Sequence, residues 1–200
     1  MSYLLPIFKI LTRITAFHEK ELRQHATSTL KFLNVSVSGL RGKPHPCLSN
    51  LLTTHDVLKA QTHIKMLCEN YFTYEMRANQ SGGSPHCRSC SQANQEYTKS
   101  ENLVHILTEC GEYEDIRTRI LPEISLLCQQ SKSNINFAEI YLNKTKLCQF
   151  ILDPGTLNLS PRISQSDPLL DQFFKLSRDL CHAIHNRRMK ILKEKMDTKK

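Results

Sequence analysis

The sequence predicts a mainly α-helical, irregular domain with an embedded loop–helix module and a long C-terminal helix. Three observations predict it. Apolar residues recur at helical spacing through nearly all of the chain. Glycine is scarce, 6 in 200 residues, which argues against a turn-rich all-β architecture. Residues 87–110 carry three cysteines and a histidine in the order C-x2-C-x14-H-x4-C. At 200 residues and 40% hydrophobic content, the chain can build one substantial core or two small ones.

The N-terminal part, residues 1–50, reads as a helix and a basic loop. Its first stretch, MSYLLPIFKILTRITAF, places Lys9 and Arg13 inside the apolar run, and no small-residue cleavage site follows. That pattern does not fit a secretory signal; a mitochondrial presequence stays open as a minor alternative to a nuclear or cytoplasmic location. Residues 10–33 show helical spacing, Leu33, Val35 and Val37 alternate, and Gly39, Gly42, Pro44 and Pro46 end regular structure.

The middle part, residues 51–152, begins with Thr53 three residues before Asp56, a capping-box pattern. Val57, Ala60, Ile64, Leu67, Cys68 and Tyr71 then follow a helical face, and ANQSGGSPH reads as a loop. Ser100 is placed to cap a helix over Glu101–Thr108. A further helix uses Tyr113, Ile116 and Ile120, and Pro122 is expected to end or kink it. Residues 136–152 predict one or two short helices with Phe137, Ile140, Tyr141, Leu147 and Phe150 inward.

Residues 153–200 begin with a Pro/Ser-rich connection. Asp167-Pro168 pairs a capping residue with a proline suited to the first helical position. Leu170, Phe173, Leu176, Leu180, Ile184 and Leu192 continue at helical period, so a helix of about 25–30 residues is expected. Its face turns basic after Ile184, and its far end is expected to protrude.

Charge bounds the function classes. The net charge is +8, concentrated at both ends: residues 1–50 hold seven Lys/Arg and two Glu, and residues 187–200 hold seven Lys/Arg and two acids. Basic ends suit a polyanion such as RNA or DNA, and they equally suit plain solvated tails. Candidate phosphate contacts are Arg187, Arg188, Lys190 and Lys193 on the last helix, and Arg41 and Lys43, beside His45, in the first loop. No run of apolar residues is long enough for a bilayer span.

The cysteines divide into two groups. Cys47, Cys68, Cys128, Cys148 and Cys181 lie among apolar neighbours and read as small buried hydrophobes. Cys87, Cys90, His105 and Cys110 form a candidate metal set. Thiolate and imidazole ligands suit tetrahedral Zn2+, and a C-x2-C turn presents two sulfurs to one ion. In a straight helix His105 and Cys110 would point about 140° apart at ~100° per residue, so Cys110 is expected just past the helix end, with Gly111 permitting the turn. Four protein ligands close the site, which makes it structural rather than catalytic, with a contribution to folding on the order of 10 kcal/mol. His86 could compete as a ligand, but it would force two neighbouring side chains onto one ion. The spacing alone leaves zinc and four unrelated residues about equally open.

No enzyme signature accompanies this set. SGGS at 81–84 lacks the lysine and helix start of a phosphate loop. His18 with Glu19 and Glu21 has no second histidine at metalloprotease spacing. His182 and His185 read as solvent-facing on one helix, and Glu114 and Asp115, as sequence neighbours, point to different faces. No small-molecule substrate is indicated.

CRSC, ENLVHILTEC and the following EYEDIRTRIL resemble the C-terminal zinc-binding region of non-LTR retrotransposon reverse transcriptases. The likeness runs from about Leu33 to about Met189, and residues 87–120 carry its specific part. Gly111 departs from the proline frequent there. The resemblance implies Zn2+ on Cys87, Cys90, His105 and Cys110, and a role in binding element RNA or target DNA. It does not imply polymerisation, because the paired aspartates of a polymerase palm are missing. The chain is expected to be a non-catalytic tail of an element polyprotein in its own reading frame. The alternative is a helical protein-interaction scaffold or a vestigial frame. Within residues 87–120 four basic residues face six acidic ones, so the zinc segment itself is expected to be a staple, with nucleic acid left to the basic ends.

Overall fold

The computed structural model describes residues 32–33, 45–90, 99–130, 135–154 and 168–197. The expected N-terminal helix, the alternating piece after Leu33, and Arg41 and Lys43 lie outside the described residues. Among those described, the fold is mainly helical: α1 is Thr54–Leu67, α2 Tyr74–Ser81, α3 Glu114–Gln130, α4 Phe137–Leu142, α5 Lys144–Leu152 and α6 Pro168–Asp197. The only β pairing among these residues is an isolated bridge between His86 and Ser100.

Local chemistry starts and stops these helices. The capping box forms as expected: the Asp56 amide donates to Thr53 Oγ1 at 3.1 Å, and the Thr53 amide to Asp56 Oδ2 at 3.0 Å. At the other end of α1, Glu69 takes φ 52°. That turn lets the Asn70 amide reach the Lys65 carbonyl and the Glu69 amide the Met66 carbonyl, so a Schellman stop is made with glutamate where glycine is usual. Thr73 caps α2, which runs through Ser81, four residues into the expected loop; Gly82 at φ 74° ends it. Asn136 and Asn143 cap α4 and α5.

Helix α6 is the spine. It packs on α1 and α3, and Phe173, Phe174, Leu180, Cys181 and Ile184 bury one face of it. Opposite lie Met66 and Leu67 of α1, Ile116, Ile120 and Ile124 of α3, and Leu147, Phe150 and Ile151 of α5. Phe150, Phe173 and Phe174 make successive edge-to-face contacts at 5.0 and 5.4 Å. Cys47, Cys128, Cys148 and Cys181 are buried, and Cys68 is half-buried.

Several expectations are corrected. Pro122 does not end α3, which is continuous across it. Val57 and Tyr141 are exposed, and the inward positions of α1 are Ala60, Thr62, His63, Met66 and Leu67. His45 turns inward: its ring meets Phe174 edge-on at 5.3 Å and its Nδ1 accepts from the Cys47 amide. His182 and His185 do not face solvent freely. Thr62 Oγ1 lies 3.3 Å from His182 Nδ1, and Tyr71 Oη 3.0 Å from His185 Nδ1. The far end of α6 does not protrude: Arg187, Arg188 and Lys195 all contact the region of residues 88–115.

Candidate metal centre

The first pair of ligands comes from the turn Cys87–Cys90. The chain enters it through a short ladder in which the Cys87 amide donates to the Lys99 carbonyl (2.9 Å) and the Glu101 amide to the Pro85 carbonyl (2.8 Å). The turn points the Cys90 amide at Cys87 Sγ. Ser89, between the cysteines, is buried with its hydroxyl 3.4 Å from Tyr113 Oη.

The second pair comes from a widened helical turn. Asn102, not Ser100, caps it: the His105 amide donates to Asn102 Oδ1 at 2.9 Å. Residues His105–Glu109 then form a π turn, closed by the Cys110 amide on the His105 carbonyl at 2.8 Å. An i→i+5 bond stacks residue 110 over residue 105, so the 140° divergence of a straight α-helix does not arise. Cys110 lies just past this turn in an extended conformation, φ −59° and ψ 121°. Gly111 then opens a 3-10 turn without a left-handed backbone, so the turn does not require glycine.

All four expected ligands are thereby brought together. One ligand atom from each of Cys87, Cys90, His105 and Cys110 lies within 4.8 Å of the others, and the four could hold a metal ion. Two edges of this tetrahedron are short. Cys87 Sγ is 3.9 Å from Cys110 Sγ, and Cys90 Sγ is 3.4 Å from His105 Nε2. A tetrahedral ion with bonds of roughly 2.3 Å to sulfur and 2.0–2.1 Å to nitrogen demands edges of about 3.8 and about 3.6 Å. His86 is not among the converging groups.

The surroundings complete the set. His105 is buried and directs Nε2 at Cys90, which turns Nδ1 toward the Glu109 carboxylate at 3.4 Å. Nδ1 makes no hydrogen bond there, so the contact is electrostatic; a carboxylate so placed favours the Nδ1–H tautomer, which leaves Nε2 free to face a metal. Burial works to raise the Glu109 carboxyl, but Lys99 at 3.3 Å and His105 together outweigh it and hold the group below the usual carboxylate range. The Glu112 amide points at Cys110 Sγ. The three thiols share their protons unevenly. The hydrogen bond from Cys110 brings Cys87 down to about 3, burial and the Cys87 charge push Cys90 up to about 11, and Cys110 is also raised, chiefly by its bond to Cys87. A cation taken up by this set would bind the sulfurs as thiolates and so displace their protons.

Comparison with protein-family models, with curated proteins and with solved structures gives no match.

The expected nucleic-acid residues are not one surface. Arg41 and Lys43 lie outside the described residues. Arg188 is corrected outright: it is 2% exposed, and its Nη2 meets Glu101 Oε1 at 2.6 Å, where no phosphate can reach it. Burial raises the Glu101 carboxyl, with the Arg188 guanidinium pulling against it. Arg187 pairs with Asp115 at 2.8 Å and donates to the Glu112 carbonyl. Lys190 and Lys193 are exposed, with Glu194 4.0 Å from Lys190. Exposed Arg88, within the C-x2-C turn, is a surface cation that sequence reasoning passed over; its guanidinium lies 4.7 Å over the Tyr74 ring. Glu109 had a readable signal, standing four residues after His105. Glu101 and Arg117 had none, because their partners are set by tertiary packing.

Proposed function

We propose that the four ligands hold one structural Zn2+, and that the chain is a non-catalytic, zinc-stapled helical domain that contacts the backbone of RNA or DNA. The observation that carries the reading is the convergence of three sulfurs and one imidazole within 4.8 Å of one another, with two edges, 3.9 and 3.4 Å, close to those of a tetrahedral zinc site. Four protein donors fill the coordination sphere, which leaves no position for a water or substrate. The ion's role is then to join the turn at Cys87–Cys90 to the π turn and to the start of α3.

The resemblance of residues 87–120 to the tail of non-LTR reverse transcriptases supplies the nucleic-acid part of the proposal. Among the exposed cations, Arg88 beside the candidate metal centre and Lys190 and Lys193 on the end of α6 are the ones assigned to it. Three phosphate contacts on a single strand correspond to a salt slope of roughly −2. Metal analysis of the purified protein, with Cys90→Ser as control, tests the zinc reading: one zinc per chain, lost in the variant, is expected. Anisotropy of a labelled single-stranded RNA, titrated with salt, tests the other half. Binding that weakens along that slope, and again in Lys190→Ala/Lys193→Ala, is expected.

One observation favours a second reading, a helical interaction scaffold. Arg187, Arg188 and Lys195 are taken up by contacts within the protein. Absence of RNA binding at low salt in a zinc-loaded sample would decide for the scaffold.

A further inference from the structure

We infer that the basic end of α6 positions the metal ligands, so that metal binding and docking of this helix end are thermodynamically linked. The inference rests on the zinc reading above and adds residues outside the ligand set.

The ligand-bearing segments are gripped by cations at their backbone carbonyls. Lys195 Nζ donates to the Arg88 carbonyl, inside the C-x2-C turn. Arg187 Nη1 donates to the Glu112 carbonyl at 3.3 Å, just past Cys110. Arg117 Nη2 donates to the Cys110 carbonyl itself at 2.6 Å. Two of the three donors belong to α6, and Arg117 belongs to α3, which packs against it.

The fourth grip is the buried ion pair. Glu101 closes the ladder that feeds Cys87, through its amide on the Pro85 carbonyl. Its Oε1 accepts from both the Arg188 guanidinium (2.6 Å) and the Tyr74 amide (3.2 Å). Glu101 Oε2 and Arg188 Nε are buried without a hydrogen-bond partner. An incompletely satisfied buried pair is weak evidence for added stability; its attested use is to select one arrangement over others. Here it selects the arrangement in which α6 lies against the ligand loop.

Charge adds to geometry. Three thiolates on a divalent cation carry a net charge of about −1, since bound cysteine is deprotonated. Arg117, Arg187 and Arg188, each also paired with a carboxylate, and Lys195 end close to the segments bearing that charge. The ion orders the carbonyls these cations need, and the cations hold the ligands where the ion needs them. Linkage makes the effect reciprocal: whatever factor helix docking adds to metal affinity, metal adds to helix docking.

The test is zinc affinity by competition with a chromophoric chelator, in the parent and in Glu101→Gln/Arg188→Met, a pair chosen to leave no orphaned charge. Loss of supporting contacts behind metal ligands weakens metal binding about 10–100-fold, and that range is expected. A Co2+ spectrum unchanged between the two shows that the ligands themselves are intact. Lys195→Met, at a half-exposed site, is expected to weaken affinity less and in the same direction. In the reciprocal arm, chelation is expected to speed tryptic cleavage after Lys190 and Lys193. A purely structural role would lower the unfolding midpoint and leave the chelator midpoint in place. Equal zinc affinity in the parent and both variants overturns the linkage and leaves the metal site standing. A parent that takes up no zinc overturns both.

Discussion

Cys110 stands one π turn above His105, its amide donating to the His105 carbonyl at 2.8 Å. This relationship brings two residues five apart in sequence into one candidate metal set. It also frees the next residue from any special duty. Gly111 has no left-handed φ, and a Cβ added there meets nothing within 4 Å. Cys110 already has the extended conformation that a following proline requires. Gly111→Pro is therefore expected to be neutral or to stabilise by about 0.4–1 kcal/mol, through a less flexible unfolded chain. Urea unfolding of the zinc-loaded protein checks this; a loss of stability would mean that the turn needs its glycine.

Glu109 backs the His105 imidazole at 3.4 Å. Glu109→Gln keeps the size of the side chain and removes the charge. Zinc affinity is expected to fall about 10–100-fold while the fold persists. Chelator competition alongside circular dichroism separates the two. Unchanged affinity would leave Glu109 as an ordinary partner of Lys99.

Arg188 and Lys193 are five residues apart on one helix and are expected to behave oppositely. Arg188→Ala strands the Glu101 carboxylate in the core and is expected to cost about 3–5 kcal/mol. Lys193→Ala, on the exposed face, is expected to stay within about 0.5 kcal/mol. Similar midpoints for the two variants would contradict the buried pair.

His63 sets a pH dependence. Its Nε2 donates to the Leu152 carbonyl at 2.9 Å, which fixes the neutral tautomer. Burial holds its pKa down at about 4 from the ordinary 6.5, with His45 and Arg178 adding to the fall and Asp153 and the Leu152 bond opposing it. Above pH 6.5 the ring is neutral folded or unfolded, and nothing changes. As pH falls from about 6.5 to about 4, only the unfolded chain takes the proton, so stability drops; below that both forms are charged and the loss levels off. At about 1.4 kcal/mol for each pH unit between the two values, the loss is roughly 3 kcal/mol. In His63→Gln that part of the acid slope is expected to vanish, as followed by unfolding at a series of pH values.

The convergence of Cys87, Cys90, His105 and Cys110 was legible because a metal-ligand requirement is written into local spacing. A C-x2-C turn is a two-residue matter, and the donors are of few types. The π turn was not legible, since nothing in ENLVHILTEC distinguishes a widened turn from a regular one until the ladder at 99–101 fixes where the helix begins. Capping carried the helix starts well, as Thr53 with Asp56 shows. Arg188 failed for an instructive reason. It lies four residues after Ile184 and seven after Cys181, on the buried face of α6. Residue type suggested solvent, whereas register pointed inward, and register prevailed because Glu101 was waiting in a distant part of the chain.

The separation of 3.9 Å between Cys87 and Cys110 has one more consequence. A disulfide needs the sulfurs about 2.05 Å apart, so a modest shift would join them. A cation held at this centre, as proposed, would therefore also guard against oxidation by tying up the thiols as ligands. Treated with oxidised glutathione after chelation, the protein is expected to surrender two electrons and lose a pair of hydrogens, closing a covalent loop across the vacated position. A zinc-loaded sample handled in the same way is expected to keep its mass, and mass spectrometry of the two samples tells them apart.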